Sequence, residues 1–353
     1  MSTIKLFLFF IFLLPSILSA VDYTHKAEVR QFISKMHKNF NYNISYLSTL
    51  FKAIRKNPKI PINIKVKQVK PLSKEHQPQG KWDIYSRMHL EHNQSNLGVQ
   101  FMNKHKKTLD KAYKEYGVPP EYITAIIGIE SYYGKNRGRF YVLDSLTHLA
   151  FGKHKRKKFY KYQLQEFLRM CYREQLEPRA IKGSKSGAIG MAQFMPSNYK
   201  SLAVDFDNDG KIRISKPVDA IGSIANYLKR NGWKKDEPVG TRVSYIGNRF
   251  YGLKTGYKHK YYRKNLIKIK PREPFNYGKK VMLVKLEKEK YDELWYGAKN
   301  FYVITRYNHS VYYAMAVHQL ARKIKTDYLV KYNRPSKKKR LYLVQNRKIH
   351  SSP

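Results

Sequence analysis

Residues 117–134, GVPPEYITAIIGIESYYG, limit the fold more than any other stretch of the chain. Gly117 closes what precedes it, and the Pro119–Pro120 pair opens a helix, where a missing N–H costs little. Ile123, Ile126, Ile127 and Glu130 then recur at i, i+3, i+4 and i+7, one face of an α-helix that stops near Gly134. Such a face has to be covered, so the chain needs a helical core built around it. The same face carries a carboxylate. Burial disfavours the charged form and raises the pKa, the state in which a glutamate serves as a general acid. An ion pair with one of the many Lys or Arg side chains is the other meaning of this placement.

Helical spacing recurs on both sides of this segment. Val29, Phe32, Ile33 and Met36 give it to the region from Lys26 to Arg55, WDIYSRMHLEHN reads as a helix, and so does VQFMNKHKKTLDKAYKEYG as one continuous element. Further helices are expected at 141–150, 160–177, 196–204, 218–230 and from Val311 to about Lys325. After Trp233 the texture changes: KKVMLVKLEKEKYDELWYG and NFYVITRYN carry β-branched and aromatic runs that read as a few strands capping the core. The fold class is therefore mainly α with a mixed α/β segment. The expected organisation is a leader over 1–20, a helical region over 21–116, a helical core over 117–233, a mixed segment over 234–332 and a basic tail over 333–353. Residues 55–81, with four prolines and many lysines, form an extended connection inside the second of these.

The leader decides where the charge is used. MSTIKLFLFFIFLLPSILSA has one lysine, a short apolar run, Pro15 and small residues ending at Ala20, the pattern of a secretory signal peptide. The apolar run is shorter than a spanning helix needs. With 70 Lys+Arg against 25 Asp+Glu, the formal net charge of +45 attracts the chain to polyanions. Export removes nucleic acid from the expected partners and leaves an anionic envelope surface. The one cysteine, Cys171, stands far from the leader, so neither an internal disulfide nor a lipid-acceptor cysteine is expected. A periplasmic, soluble or surface-adsorbed monomer follows from this reading.

Three segments carry chemistry. KGSKSGAIGMAQFMPSNYK (182–200) gathers Gly183, Gly187 and Gly190 around Ser184, then supplies Gln193 and Phe194. An amide that donates and accepts beside flat apolar faces suits a sugar ring; a tight structural turn would look the same. ITRYNHSVYYAMAVHQLA (304–321) adds Tyr307, Asn308, Tyr312 and Tyr313, which fit either a saccharide cleft or buried tyrosines with satisfied hydroxyls. DFDNDGKIRISKPVD (205–219) sets Asp205, Asp207 and Asp209 in alternation before Gly210. Three carboxylates so close repel unless a hard cation binds them, and D-x-D-x-D-G opens a calcium loop. Lys211 would lend its carbonyl. Lys216 occupies the twelfth position where a Glu is expected, so Asp219 would have to close a longer loop. A solvated acidic turn is the alternative. The sequence holds no H-E-x-x-H, no Cys/His metal spacing, no G-x-S-x-G and no phosphate loop.

Read together, YGVPPEYITAIIGIESYYGKNRGRFYVLDSLTHLAF, KGSKSGAIGMAQFMPSNYKSLAVDFDNDGKI, KPVDAIGSIANYLKRNGW and TRYNHSVYYAMAVHQL resemble, in order and over most of residues 30–325, the lytic murein transglycosylases of the B type. The resemblance implies a lysozyme-like helical catalytic core that cuts peptidoglycan glycan strands without water and leaves 1,6-anhydro ends. No catalytic cofactor is implied. The family's single catalytic glutamate falls on Glu130. Its cleft residues fall on Ser184, Gln193, Phe194, Tyr307, Asn308 and Tyr313, with a basic pair at Lys155 and Arg156, of which the first matches in charge only. Its calcium loop falls on Asp205, Asp207, Asp209, Lys211 and Asp219, with Asp207 where relatives often carry Ser. A hydrolytic muramidase and a non-catalytic wall-binding protein are the competing expectations.

Overall fold

The computed structural model describes residues 20–56, 80–90, 93–247 and 250–332. The expected leader up to residue 19, most of the Pro/Lys-rich connection and the basic tail lie outside them. Strand β1 (Ala20–Val21), helices α1 (Ala27–Phe40) and α2 (Ile44–Lys52) and strand β2 (Ile54–Arg55) open the described chain, followed by α3 (Lys81–Leu90), α4 (Gln94–Lys104) and α5 (Lys106–Tyr116). Helix α6 (Pro120–Ser131) leads through β3 (Phe140–Tyr141) to α7 (Val142–Phe151), α8 (Lys157–Arg173), β4 (Lys182–Gly183), α9 (Pro196–Leu202) and α10 (Pro217–Arg230). Strands β5 (Gly240–Tyr245), β6 (Ile269–Pro271), β7 (Met282–Glu287) and β8 (Asp292–Gly297) precede α11 (Lys299–Tyr307) and α12 (Val311–Tyr332).

Helix α6 starts as its sequence requires, with Pro119 extended at the N-cap and Pro120 at the first helical position. It is buried on all sides from Glu121 to Gly128 rather than along one stripe. The cause is its place among α4, α5, α10 and α12, which all pack on it. Ile123, Ile126 and Ile127 are fully buried there, each worth about 1.5–3 kcal/mol of transfer free energy. This packing fixes the last turn of α6, and with it Glu130. One apolar core runs from Tyr23 to Ile324, and a smaller one gathers Val243, Leu283 and Tyr296 of the sheet with Leu266 from the segment before β6. That sheet has the order β6-β5-β8-β7, antiparallel throughout.

Two local expectations are corrected. NFYVITRYN is helix α11, not a strand. Its β-branched residues are overruled by tertiary packing: Phe301 and Ile304, three apart, are fully buried, and the buried Asn300 side chain is held by the Lys234 and Glu237 carbonyls. The segment expected as one helix over 99–116 is two. His105 ends α4 and begins α5 outside helical geometry, because the apolar faces diverge: α4 packs on α6 and α12, while α5 packs chiefly on α10.

Candidate functional site

Glu130 lies in the last turn of α6, which ends abruptly as Tyr132 and Tyr133 take positive φ of 49° and 57°. The neighbouring Ser131 hydroxyl sits within bonding distance of the carbonyls of Ile127 (3.1 Å) and Met191 (2.9 Å) and receives the Gly134 amide at 3.1 Å. That one hydroxyl ties the helix end to the Gly-rich loop. The Tyr313 hydroxyl, from α12, donates to Glu130 Oε1 at 2.7 Å. Tyr313 and Tyr307 lie nearly parallel, 10° apart with ring centroids at 6.3 Å. Tyr307 is pinned by its own hydroxyl, which donates to the Ala192 carbonyl at 2.5 Å, and by the rings of Tyr227 at 4.7 Å and Phe194 at 6.0 Å.

Glu130 is a half-buried residue, and the protein around its carboxyl removes most of its hydration. Burial pushes its pKa from 4.5 up to about 7, and the Tyr313 hydrogen bond pulls the other way. Neither cause is a Lys or an Arg, so the ion-pair meaning of this residue is not what the structure builds. A second carboxylate is not among the causes either. A group poised near neutrality can give a proton and take one back, which is the requirement for acid–base catalysis. Tyr313→Phe removes the one influence that lowers the Glu130 pKa. We expect the alkaline limb of the pH–rate profile to move upward, with turnover at the optimum about fivefold lower for the lost hydrogen bond.

The Gly-rich loop stands against this ring. Ser184 organises the turn, its hydroxyl accepting the Ala188 amide at 3.0 Å and the Ser186 amide at 3.3 Å. Gln193 is held at a positive φ of 48°, and its Nε2 donates to the Gly190 carbonyl at 2.8 Å and to Arg137 O at 3.2 Å. A non-glycine residue in the left-handed region is strained, and such strain concentrates at functional positions. Phe194 departs from its expected part as an open stacking face. Its ring is 1% exposed because the loop folds back through antiparallel bridges between Gly183, Ile189 and Phe194, so it backs Tyr307. Asn308 ends α11, exposed and extended. Lys155 and Arg156 are exposed before α8, with the Arg156 guanidinium over Phe159 at 4.2 Å and its amide donating to His154 Nδ1 at 3.0 Å; the contacts of Arg156 stay within this turn and α8.

Two tyrosines of this site were not singled out from the sequence. Tyr227 packs under Tyr307 and donates to the Arg306 carbonyl at 2.5 Å. Tyr85, on α3, is pushed up to about 12 by burial and then by the Glu130 charge, so it lies within electrostatic reach of the carboxyl. The available signal was the i, i+3 spacing of Trp82 and Tyr85, which puts both rings on one face of α3; both meet Tyr312, at 5.5 and 5.8 Å.

The Asp-rich loop gathers three carboxylates. Oxygens of Asp205, Asp207 and Asp209 lie within 4.8 Å of one another, a hard-oxygen donor set that fits calcium. The Asp205 carboxylate accepts the amides of Asp209 (3.1 Å) and Gly210 (2.8 Å), and Asp209 accepts that of Lys211 at 3.0 Å and pairs with Arg213. Asp219 differs from expectation. It is 1% exposed and lies outside the group of three, its two oxygens accepting the Phe206 amide at 2.9 Å and the Arg213 amide at 2.6 Å. A buried carboxylate needs such partners, and these two amides bracket the loop.

The transglycosylase SLT domain family model matches residues 24–322. The chain belongs to the transglycosylase SLT family. This SLT-family chain is 37% identical over 309 residues to the membrane-bound lytic murein transglycosylase B of Escherichia coli K12, covering 86% of this chain and 84% of that protein. It superposes with a TM-score of 0.81 on the E. coli lytic transglycosylase SLT35 solved in complex with calcium, at 35% identity, covering 88% of this chain and 96% of that one. It superposes with a TM-score of 0.72 on Pseudomonas aeruginosa SltB3 in complex with NAG-anhNAM-pentapeptide, at 25% identity over 84% of this chain and 79% of that one. The lysozyme-like helical core expected of an SLT-family chain is the fold present here.

Proposed function

We propose that this lytic transglycosylase cleaves the β-1,4 bond between N-acetylmuramic acid and N-acetylglucosamine in peptidoglycan with Glu130 as its one acid and base. The observation that carries the reading is the Glu130 carboxyl, raised to about 7 by burial and bonded to the Tyr313 hydroxyl. Protonated Glu130 gives its proton to the glycosidic oxygen as the bond to C1 breaks through an oxocarbenium-like state. An ordinary glycosidase sets a second carboxylate across the sugar. Here the substrate's own N-acetyl group takes that part, and the ionised Glu130 then removes the proton of the muramic C6 hydroxyl as its oxygen closes on C1. Atoms balance without water, and the product is a 1,6-anhydro end. Ser184, Gln193, Tyr307 and Asn308 bind the strand in this reading, and Lys155 with Arg156 supply positive charge for its acidic groups.

Mass spectrometry of digested sacculi tests the assignment. Products lacking one water relative to hydrolytic fragments are expected; reducing ends would make the protein a hydrolase. The leader and the basic surface support a periplasmic enzyme held loosely to the polyanionic wall. Among the described residues no helix is long and apolar enough to cross a membrane.

Calcium at Asp205, Asp207 and Asp209 completes the proposal as a structural ion, supported by the donor set and by the calcium complex of SLT35. Bound to the folded state alone, it raises the melting temperature by linkage. Double substitution Asp205→Ala, Asp209→Ala is expected to abolish that rise. Identical melting curves of metal-free protein with and without calcium would count against the site.

A further inference from the structure

The α2–α8 face holds a cavity of about 770 Å³ that shares no lining residue with the Glu130 ring. Asn41, Tyr42 and Asn43 line it from the α1–α2 turn, Tyr46 from the first turn of α2, and Tyr172, Arg173 and Gln175 from the end of α8 and just beyond it. Tyr172 is 73% exposed and Tyr46 43% exposed, so two aromatic faces stand open beside one hollow. The Tyr42 and Tyr172 rings meet at 5.4 Å. Tyr42 itself is 6% exposed, and its hydroxyl, although buried, has no hydrogen-bond partner among the described residues. A second hollow of about 250 Å³ continues from Tyr42, Tyr172 and Arg173 to Arg169 and Lys200.

A buried hydroxyl without a partner costs about 1–3 kcal/mol unless a ligand supplies one. Exposed phenol faces beside side-chain amides match a sugar, whose ring carries an apolar C–H face and a rim of hydroxyl and N-acetyl groups. A dry apolar partner would leave the Asn and Gln amides and the Tyr42 hydroxyl unpaired. From these features we infer a second glycan-binding site on this face, which takes an N-acetylated amino-sugar strand with a sugar ring stacked on Tyr172, the exposed Tyr172 side chain turning from the Tyr42 ring as the strand seats and so opening Tyr42 Oη to one of its polar groups. The inference rests on the proposed function only for the choice of glycan. Two sites on one polymer raise the effective concentration of strand at the cleft without any new contact there.

The test is calorimetric titration of Glu130→Gln protein, full chain, with chito-tetraose. Tyr172→Ala in that background is expected to lower the number of molecules bound by one, and Tyr42→Phe to weaken that same event by about threefold to tenfold. Tyr172 is exposed, so its replacement leaves the melting curve in place. An unchanged stoichiometry in Tyr172→Ala overturns the inference, as does full affinity in Tyr42→Phe. Cleavage of sacculi by the unaltered chain is scored separately: its absence would overturn the catalytic reading and leave the binding result standing.

Discussion

Glu130→Gln is expected to lower murein turnover by at least about a hundredfold, the scale lost with a general acid–base group. The amide keeps the shape of the carboxyl and can still accept from Tyr313, so strand binding should persist. The unaltered enzyme needs Glu130 protonated at the start of each cycle, and its activity should decline as pH rises past about 7, where the folded carboxyl ionises. Stability carries the same signature. The folded-state pKa lies above the ordinary 4.5, so the native state binds the proton more tightly than the unfolded chain does. That contribution is complete below about pH 4.5 and disappears as pH climbs through about 7. Glu130→Gln should therefore gain stability relative to the parent between those two values and hold the gain above them, as denaturant melts at pH 5 and 8 would read. Full activity in the variant would remove Glu130 from the mechanism.

Gly190→Ala should unfold or disable the protein without touching a reacting group. Gly190 sits at a φ of +74°, and a Cβ built there falls 2.5 Å from the Ile214 carbonyl oxygen. The obstacle is backbone, already engaged by the Met191 amide at 2.8 Å, and it cannot swing aside as a side chain would. A left-handed Ala costs about 1–2 kcal/mol before the clash is counted, so a loss of at least about 2 kcal/mol is expected by denaturant titration. Any chain that still folds will have shifted the carbonyl that holds Gln193, and turnover should fall with it. A stability within about 0.5 kcal/mol of the parent would show that the loop is softer than its packing indicates.

The parts legible in the sequence were those written locally. Pro119, Pro120 and the isoleucine spacing announced α6, and the acid that continues its isoleucine stripe announced Glu130. The alternation of Asp205, Asp207 and Asp209 announced their clustering, because adjacent odd positions in a tight loop cannot separate far. Contacts over long sequence distances were hidden. Nothing near Asp219 tells that its oxygens are used on the amides of Phe206 and Arg213, and nothing in NFYVITRYN tells that Asn300 is claimed by carbonyls some sixty residues earlier. Tyr85 lies on a helix with only Trp82 buried within it, so its nearness to the carboxyl depends wholly on where α3 docks. Phe194 was read as a face for sugar because aromatic identity is visible and burial is not.

The hydrogen bond between Glu130 and Tyr313 joins residues 183 positions apart, and that separation governs when the enzyme can first act. Until α12 has emerged and seated, Glu130 lacks both its Tyr313 partner and the cover that α12 gives to α6. A wall-cutting activity that was complete in its first half would be loose in any unfinished chain. Dividing the proton site between the middle and the far end of the polypeptide makes completion of folding the safety catch.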